Sequence, residues 1–331
     1  MRRSLVGFAI GVVAAGSAFS QYVISAHSGV VQLVEGRAYL NDTLVEGKFG
    51  QFPDIKENQE FRTEEGRAEI LLTPGVFLRI GENSSIRMLS TRLSDTRVEI
   101  LSGSAMVECE DIPKDNAIVL VHNGTNMLLV KHGLYRVDSD PARFKVYDGE
   151  AIVKAESGQL TLRSGKETAL GGALMASSFD KNDTDALYNW SARRASYVAQ
   201  ANASSANVLR NGGGFYNGFY SDGFAGYNGF GAAPFGNNGA WQYNSMFGLY
   251  TWVPYQGLYA SPFGYNFWSP GTVGYYTPVA GGYSVGRTPI PVSTIGGAAR
   301  ASSLGSGAGA SRGGGFSSVA SAGGHSGGGH R

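Results

Sequence analysis

The chain has 331 residues, a formal charge of +1, one cysteine and 49 glycines, and only 16% of it is charged, well below the roughly 25% usual in soluble domains. A lone Cys109 excludes an internal disulfide and a multi-cysteine zinc site, and near-neutral charge removes the general electrostatic case for nucleic-acid binding. The low charge is local: 48 of the 53 charged residues precede Asn211, whereas 31 of the 49 glycines lie from Asn211 onward.

Met1-Arg2-Arg3 is a short basic start, and Leu5 to Ala15 is an uncharged apolar run too short to span a bilayer comfortably as a helix. Ala18-Phe19-Ser20 puts small residues where a signal peptidase reads, which predicts a signal peptide over 1–20, cleaved before Gln21. No later stretch is apolar enough to span a membrane as a helix, so no transmembrane span is expected in the mature chain. The expected location is the periplasm, the cell surface or the medium.

From about residue 23 to 172, short runs alternate apolar and polar residues, with glycine-containing turns between them. Ala68, Ile70 and Leu72, then Val76, Leu78 and Ile80, then Ala105, Val107 and Cys109 each place every second side chain on one face. This is the pattern of a β-sandwich or β-coil of short antiparallel strands. Asn123-Gly124 and Asp148-Gly149, each flanked by strand-like runs, are both predicted to be hairpin turns, because both dipeptides tolerate positive φ.

The stretches Gly29 to Gly36, Arg62 to Leu72 and Pro74 to Ile80 carry a family pattern. It continues in Gly133-Leu134-Tyr135-Arg136-Val137 and in Val146 to Val153. By these residues the segment 21–172 resembles the FecR domain. The resemblance implies an extracytoplasmic all-β module, which in the best-known members relays a signal from an outer-membrane receptor to a sigma factor. That relay uses a cytoplasmic anti-sigma segment ahead of a transmembrane helix, and only three residues precede the apolar run here. The expectation is therefore a module that acts by itself as a binding or assembly domain.

Residues 173–210 read as a linker containing one amphipathic helix over 183–204, capped at Asp183-Thr184-Asp185 and carrying Leu187, Trp190, Arg194, Tyr197 and Ala201 at helical spacing. Trp190 and Tyr197 are expected to pack on the neighbouring β-domain, the alternative being a docking face for a partner.

From residue 211 to 331 the chain is rich in glycine, tyrosine and phenylalanine, a composition expected to be mostly disordered. An aromatic and proline island at 241–270 stands out, and its candidate partner-binding residues are Trp241, Tyr243, Tyr250, Trp252, Tyr255, Tyr259, Phe267 and Trp268. Such rings suit sugars, a membrane interface or self-association. The alternative is a locally collapsed β-like segment covering a surface of the β-domain.

No catalytic, cofactor-binding or metal-ligating residue emerges. His122 and His132 lack a metal-ligand spacing, and Cys109 reads as a small buried hydrophobe. The carboxylate pairs Glu64-Glu65, Glu108/Glu110 and Asp138/Asp140 are expected on solvated faces. The resulting expectation is an exported, non-enzymatic binding or assembly module whose tail contacts an envelope protein, a polysaccharide or a second copy. The alternative is a signal-sensing component working with a separate membrane partner or a sigma/anti-sigma system.

Overall fold

The computed structural model describes residues 28–47, 50–112, 114–211 and 239–275. The predicted signal peptide and the Gly-rich stretches 212–238 and 276–331 lie outside these described residues.

Fifteen strands form one hydrogen-bonded network. They are β1 (Val30–Leu40), β2 (Thr43–Val45), β3 (Glu60–Leu71), β4 (Val76–Ile80), β5 (Ser85–Arg92), β6 (Asp95–Ser102), β7 (Ser104–Cys109), β8 (Ala117–His122), β9 (Thr125–Leu129), β10 (Gly133–Ser139), β11 (Ala142–Asp148), β12 (Glu150–Ala155), β13 (Gly158–Arg163), β14 (Lys166–Ala169) and β15 (Ser177–Ser178). The long strands β1 and β3 run antiparallel side by side, and the sheet forks along the other edge of β3. Glu60 to Arg62 pair with β5, whereas Ala68 to Leu71 pair with β4. One wing then runs β5-β6-β8-β9-β12-β13, the other β4-β7-β10-β11-β14-β15.

The fork follows from small residues. Gly36 and Gly66 face each other across β1 and β3 beside a register shift, and a Cβ on either would run into the other strand's backbone. At the branch point, buried Thr63 donates its hydroxyl to the Gly81 carbonyl at 2.6 Å, and its amide donates to Ser84 O at 2.8 Å. A single apolar cluster draws on both wings, from Phe61, Ile70, Leu78 and Val107 to Tyr135, Phe144, Val153 and Leu162. The wings thus face each other across a shared core, which makes the domain an all-β sandwich.

Only one of the two predicted hairpins forms. At Asn123-Gly124, φ values of 44° and 75° turn β8 directly into β9, and His122 pairs with Thr125. At Asp148-Gly149 the chain instead leaves one wing for the other: β11 pairs with β10 and β14, β12 with β9 and β13. Gly149 also has positive φ, but the residue serves close approach, because a Cβ there would collide with the Tyr135 hydroxyl.

Burial differs from strand to strand. Strands β6, β9 and β12 alternate buried and open positions, whereas β4 is buried at every residue and β7 at all but its first. A sheet buried on both faces needs a second layer. That layer is the helix α1 (Ala186–Asn211) with two hairpins, β16 (Ala240–Asn244) to β17 (Leu249–Val253) and β18 (Leu258–Ala260) to β19 (Asn266–Trp268), and a 3-10 turn at Val273–Tyr275. We refer to these elements as the cap.

The helix starts and ends later than 183–204. Its N-cap is Asp185, whose Oδ1 accepts the Tyr188 amide at 2.9 Å while Oδ2 takes Arg136 of β10 at 2.7 Å. One carboxylate therefore both caps the helix and pins it to the sheet. The helix continues through Ser204 and Ser205 to Asn211 because its last turns are packed rather than free. Asn202, fully buried, donates to the carbonyls of Trp252 and Trp268 and accepts the Trp268 amide at 2.6 Å. Asn244 reaches the Ala201 carbonyl and Ser205, and the Thr251 hydroxyl reaches the Val198 carbonyl at 2.9 Å.

Candidate functional site

Strands β3, β4 and β7 place Glu69, Arg79 and Glu108 on the outer face of the capped wing, at neighbouring register positions. Glu69 and Glu108 have no exposed surface and Arg79 has 1%. Arg79 Nε donates to Glu69 Oε2 at 2.8 Å and Nη1 to Glu108 Oε2 at 2.5 Å. From the cap, Arg194 Nη2 donates to Glu69 Oε1 at 2.7 Å, and the Ser261 hydroxyl donates to Glu108 Oε1. Gln32 of β1 joins them, donating to Glu69 at 2.9 Å while its Oε1 accepts the Tyr250 amide at 2.8 Å. Two carboxylates face two guanidiniums, so the interface is charged in its parts and neutral in sum.

Burial alone would raise the Glu69 carboxyl, but Arg194 and Arg79 outweigh it and hold it at about 2. Glu110, one turn of pleat beyond Glu108, behaves oppositely. It is 3% exposed, its carboxyl lies against Glu108 and Ser261 without a well-formed hydrogen bond, and burial together with Glu108 pushes it well up. The pair Glu108/Glu110 is therefore not on a solvated face as the alternation suggested. The strand face that would have met water is covered by the cap. Glu64 and Glu65 do lie open, exchanging ion pairs with Arg37 and Arg62, and half-buried Asp138 pairs with Arg136 at 2.8 Å.

Beside this network lies a cleft of about 390 Å³. One wall is Val31 to Val34 of β1 with Phe52 and Pro53; the other is Arg194 and Tyr197 of α1 with Phe247 to Leu249 in the β16–β17 turn. Tyr197 and Phe247 meet edge to face at 5.2 Å, and the Arg194 guanidinium lies 5.5 Å from the Tyr197 ring centre. Tyr197 is 42% exposed and Met246, next to Phe247, is 75% exposed, so the cleft opens within an apolar and aromatic surface. Its volume falls at the small end of ligand pockets, roughly 300–1,000 Å³. Among the described residues no group of three or more His, Cys, Asp or Glu side chains could hold a metal ion.

The eight aromatic residues singled out from the sequence are brought together, but mostly inward. Trp241, Tyr250, Trp252, Phe267 and Trp268 are buried, and Tyr243, Tyr255 and Tyr259 are half-buried. Trp241, Tyr250, Trp252 and Phe267, with Tyr243 and Tyr259, pack against Val30, Leu71 and Phe77 of the sheet and against Val198 and Ala199 of α1, while Trp268 packs with Ala203 and Ala206 of α1 and with Val253 and Val273. The island is thus the collapsed β-like cover and not a presented aromatic face. Rings with alternating polar neighbours over a sheet's polar face gain more from burial there than from water. Trp190 also packs inward, its Nε1 donating to Glu35 at 2.9 Å, which leaves Tyr197 as the helix ring that reaches the surface. His122 ends β8 with Nδ1 at 2.8 Å from the Ile100 carbonyl, and Cys109 is enclosed, its thiol pushed well up by burial and by Glu110.

Sequence reasoning missed the Glu69–Arg79–Glu108 network and the cleft. The signal for the network was present: opposite charges at outward positions of successive strands, each flanked by core residues, such as Glu69 between Ala68 and Ile70. The cleft had no such signal, because its walls lie far apart along the chain.

Residues 59–165 match the family model described as FecR protein. Two crystal structures of a candidate anti-sigma factor from Parabacteroides distasonis are similar to the chain at 14% and 13% identity, each with a TM-score of 0.33. In both, the match covers 37% of this chain and 60% of the other, so the chain spans under two thirds of the length of the structures it matches. No curated protein matches it. The matched residues run from the start of β3 to the end of β13, with β1, β2, α1 and the aromatic hairpins outside them. Over residues 59–165, from β3 to β13, the chain is thus similar to the FecR family.

Proposed function

We propose that the protein is a FecR-type regulatory component that works outside the cytoplasm and acts by recognition, not by catalysis. Its ligand is an exposed segment or surface of an envelope partner, taken up in the cleft between β1 and the cap. The observation that carries this reading is the composition of the cleft: one wall belongs to the sheet that bears the FecR-like segment, the other to the helix and hairpin packed on it, with Tyr197, Phe247 and Arg194 among its lining residues. A binding event there touches both bodies at once, which is what a signal-relaying domain requires. The polar groups nearby favour binding over chemistry, since Glu69, Arg79 and Glu108 are already tied to one another and Cys109 is enclosed.

The test is capture of partners from the protein's own envelope by the mature chain and by a Tyr197→Ala/Phe247→Ala variant. Loss of two aromatic contacts, one exposed and one half-buried, at a recognition site costs on the order of 2–4 kcal/mol together. Retention of the specific partner should therefore fall at least tenfold, with the melting temperature little changed. Equal retention by both proteins would overturn the cleft as the recognition site. A reading in which the protein assembles on a polysaccharide or on itself through its Gly- and aromatic-rich stretches rests on residues 212–238 and 276–331 and predicts equal retention.

A further inference from the structure

We infer that Glu110, together with Glu108 and Ser261, forms a proton-operated latch that fastens the cap to the FecR-like segment. The latch regulates the cleft because Arg194, Tyr197 and Phe247, which wall it, move only with the cap; that link rests on the recognition role proposed above, whereas the latch itself does not.

Three features of the interface lead here. Glu108 already has two donors, Arg79 from β4 and the Ser261 hydroxyl from the loop between β18 and β19, and its second oxygen is the cap's direct hydrogen bond to β7. Glu110 emerges on the same face, 3% exposed, its carboxyl set against Glu108 and Ser261 without a well-formed hydrogen bond to either. The groups facing it are Glu108 of β7, Arg79 from β4 and Ser261 from the cap, while the neighbouring Cys109 points to the inner core. Beyond these lie Glu69 and Arg194, whose charges offset each other at 2.7 Å, and Asp111 with Tyr259 and His132. Arg79, the cation that acts on Glu110, pairs with Glu69 and Glu108, and the charges of Arg79 and Arg194 are already balanced by those two carboxylates, which leaves none for a third. A proton on Glu110 is therefore a condition of closing the cap over it.

The direction follows from linkage. With the cap docked, the Glu110 carboxyl sits well above its ordinary range, by burial first and Glu108 second; with the cap displaced it meets water and returns to that range. Docking takes up a proton between the two values. The docked state is fully favoured below the ordinary carboxyl range and loses up to tenfold in its docking constant per pH unit as pH rises toward the docked value. Asp111, also pushed up by burial, lies at the same edge and adds in the same direction.

All four tryptophans, Trp190, Trp241, Trp252 and Trp268, belong to the cap and are buried against the sheet or within the cap, so the intrinsic emission of the unmodified mature chain reports docking. Emission and amide protection factors of peptides from 240–275 are to be followed from pH 5 to 9 in the wild type, Glu110→Gln, Glu110→Met, Ser261→Ala and Cys109→Ala. The expected result is a red shift and falling cap protection with rising pH in the wild type. Both Glu110 variants should lose most of the slope, keeping only the part that Asp111 supplies, and either one that folds suffices. Ser261→Ala should show lower protection at every pH with the slope kept, and Cys109→Ala the wild-type slope. A flat wild-type response, an undiminished slope in both Glu110 variants, or one that vanishes in Cys109→Ala would overturn the latch. These readouts contain no partner, so the latch stands or falls separately from the capture experiment: a pH-dependent cap with unchanged capture by the Tyr197/Phe247 variant retires the recognition site and leaves the latch.

Discussion

Arg79→Met is expected to destabilise the protein by about 3–5 kcal/mol, the cost of removing one partner from a buried ion pair, read as a fall in melting temperature on the order of 10 °C for a domain of this size. Methionine fills most of the space of the arginine stem, so the loss is electrostatic and not a cavity. Without Arg79, Glu69 keeps Arg194 and Gln32, but Glu108 keeps only the Ser261 hydroxyl, beside Glu110. A buried carboxylate with no cation must take a proton or expel the cap. The double variant Arg79→Met/Glu108→Gln restores charge balance, since Glu69 still faces Arg194, and should recover at least half of the loss. Urea unfolding of the single and double variants gives the coupling between the two positions. Equal stability of the two variants would show that Glu108 does not depend on Arg79.

The same network sets the acid side of the stability curve. Glu69 is held at about 2 against an ordinary value of 4.5, so its contribution is complete above about pH 4.5 and is lost as pH falls toward 2. That difference corresponds to about 3 kcal/mol. Glu110 is displaced in the opposite direction, so its cost to the folded state grows as pH rises above 4.5. The capped wing is consequently most stable in mildly acid solution, with two different carboxylates limiting it on either side.

The contrast between those carboxylates also marks where sequence reading succeeded and where it stopped. Period-two alternation located the inner core correctly, because Ile70, Leu78 and Val107 face the opposite wing whatever covers the other side. It misjudged Glu108 and Glu110, because alternation specifies which side of a strand a residue occupies and not what lies beyond it. The covering layer comes from residues more than 70 positions further along, partly from α1 and partly from a glycine-rich stretch whose composition argues for disorder. Within it, Trp252 alternates against the polar Thr251 in a five-residue strand too short for its pattern to stand out. Similarly, Asp148-Gly149 has the local chemistry of a hairpin turn. Which strand follows it in the sheet was decided by pairing with β9 and β13, a non-local matter. The cleft is the extreme case, its walls separated by about 160 residues.

Trp252→Ala should remove the cap's main anchor. Trp252 is fully buried, with its ring over Gly75, where a Cβ would lie 3.2 Å from the indole. Tyr259 meets it edge to face at 4.9 Å and Phe267 lies tilted at 5.8 Å. Truncating a buried tryptophan costs on the order of 3–5 kcal/mol. The location of that loss matters more than its size. The apolar cluster between the wings contains no cap residue, while the cluster around Trp252 joins Val30, Leu71 and Phe77 of the sheet to Val198, Ala199 and the aromatic hairpins. Truncation therefore weakens the second layer and leaves the sandwich core intact. The expected outcome is two unfolding transitions in place of one: an early transition that shifts the emission of the three remaining tryptophans, and a later one, near the wild-type temperature, that removes the β signal in far-ultraviolet circular dichroism. Limited proteolysis between the transitions should cut within 186–275 and spare β1 to β13. A single transition, lowered as a whole, would mean that the sandwich cannot stand without its cap, because Glu69, Arg79 and Glu108 cannot be left facing an undermined interface. Gly75→Val separates the two outcomes from the other side of the contact. It adds bulk under the indole at a position with φ of 85°, so it should displace Trp252 and reproduce the early transition without deleting any aromatic surface.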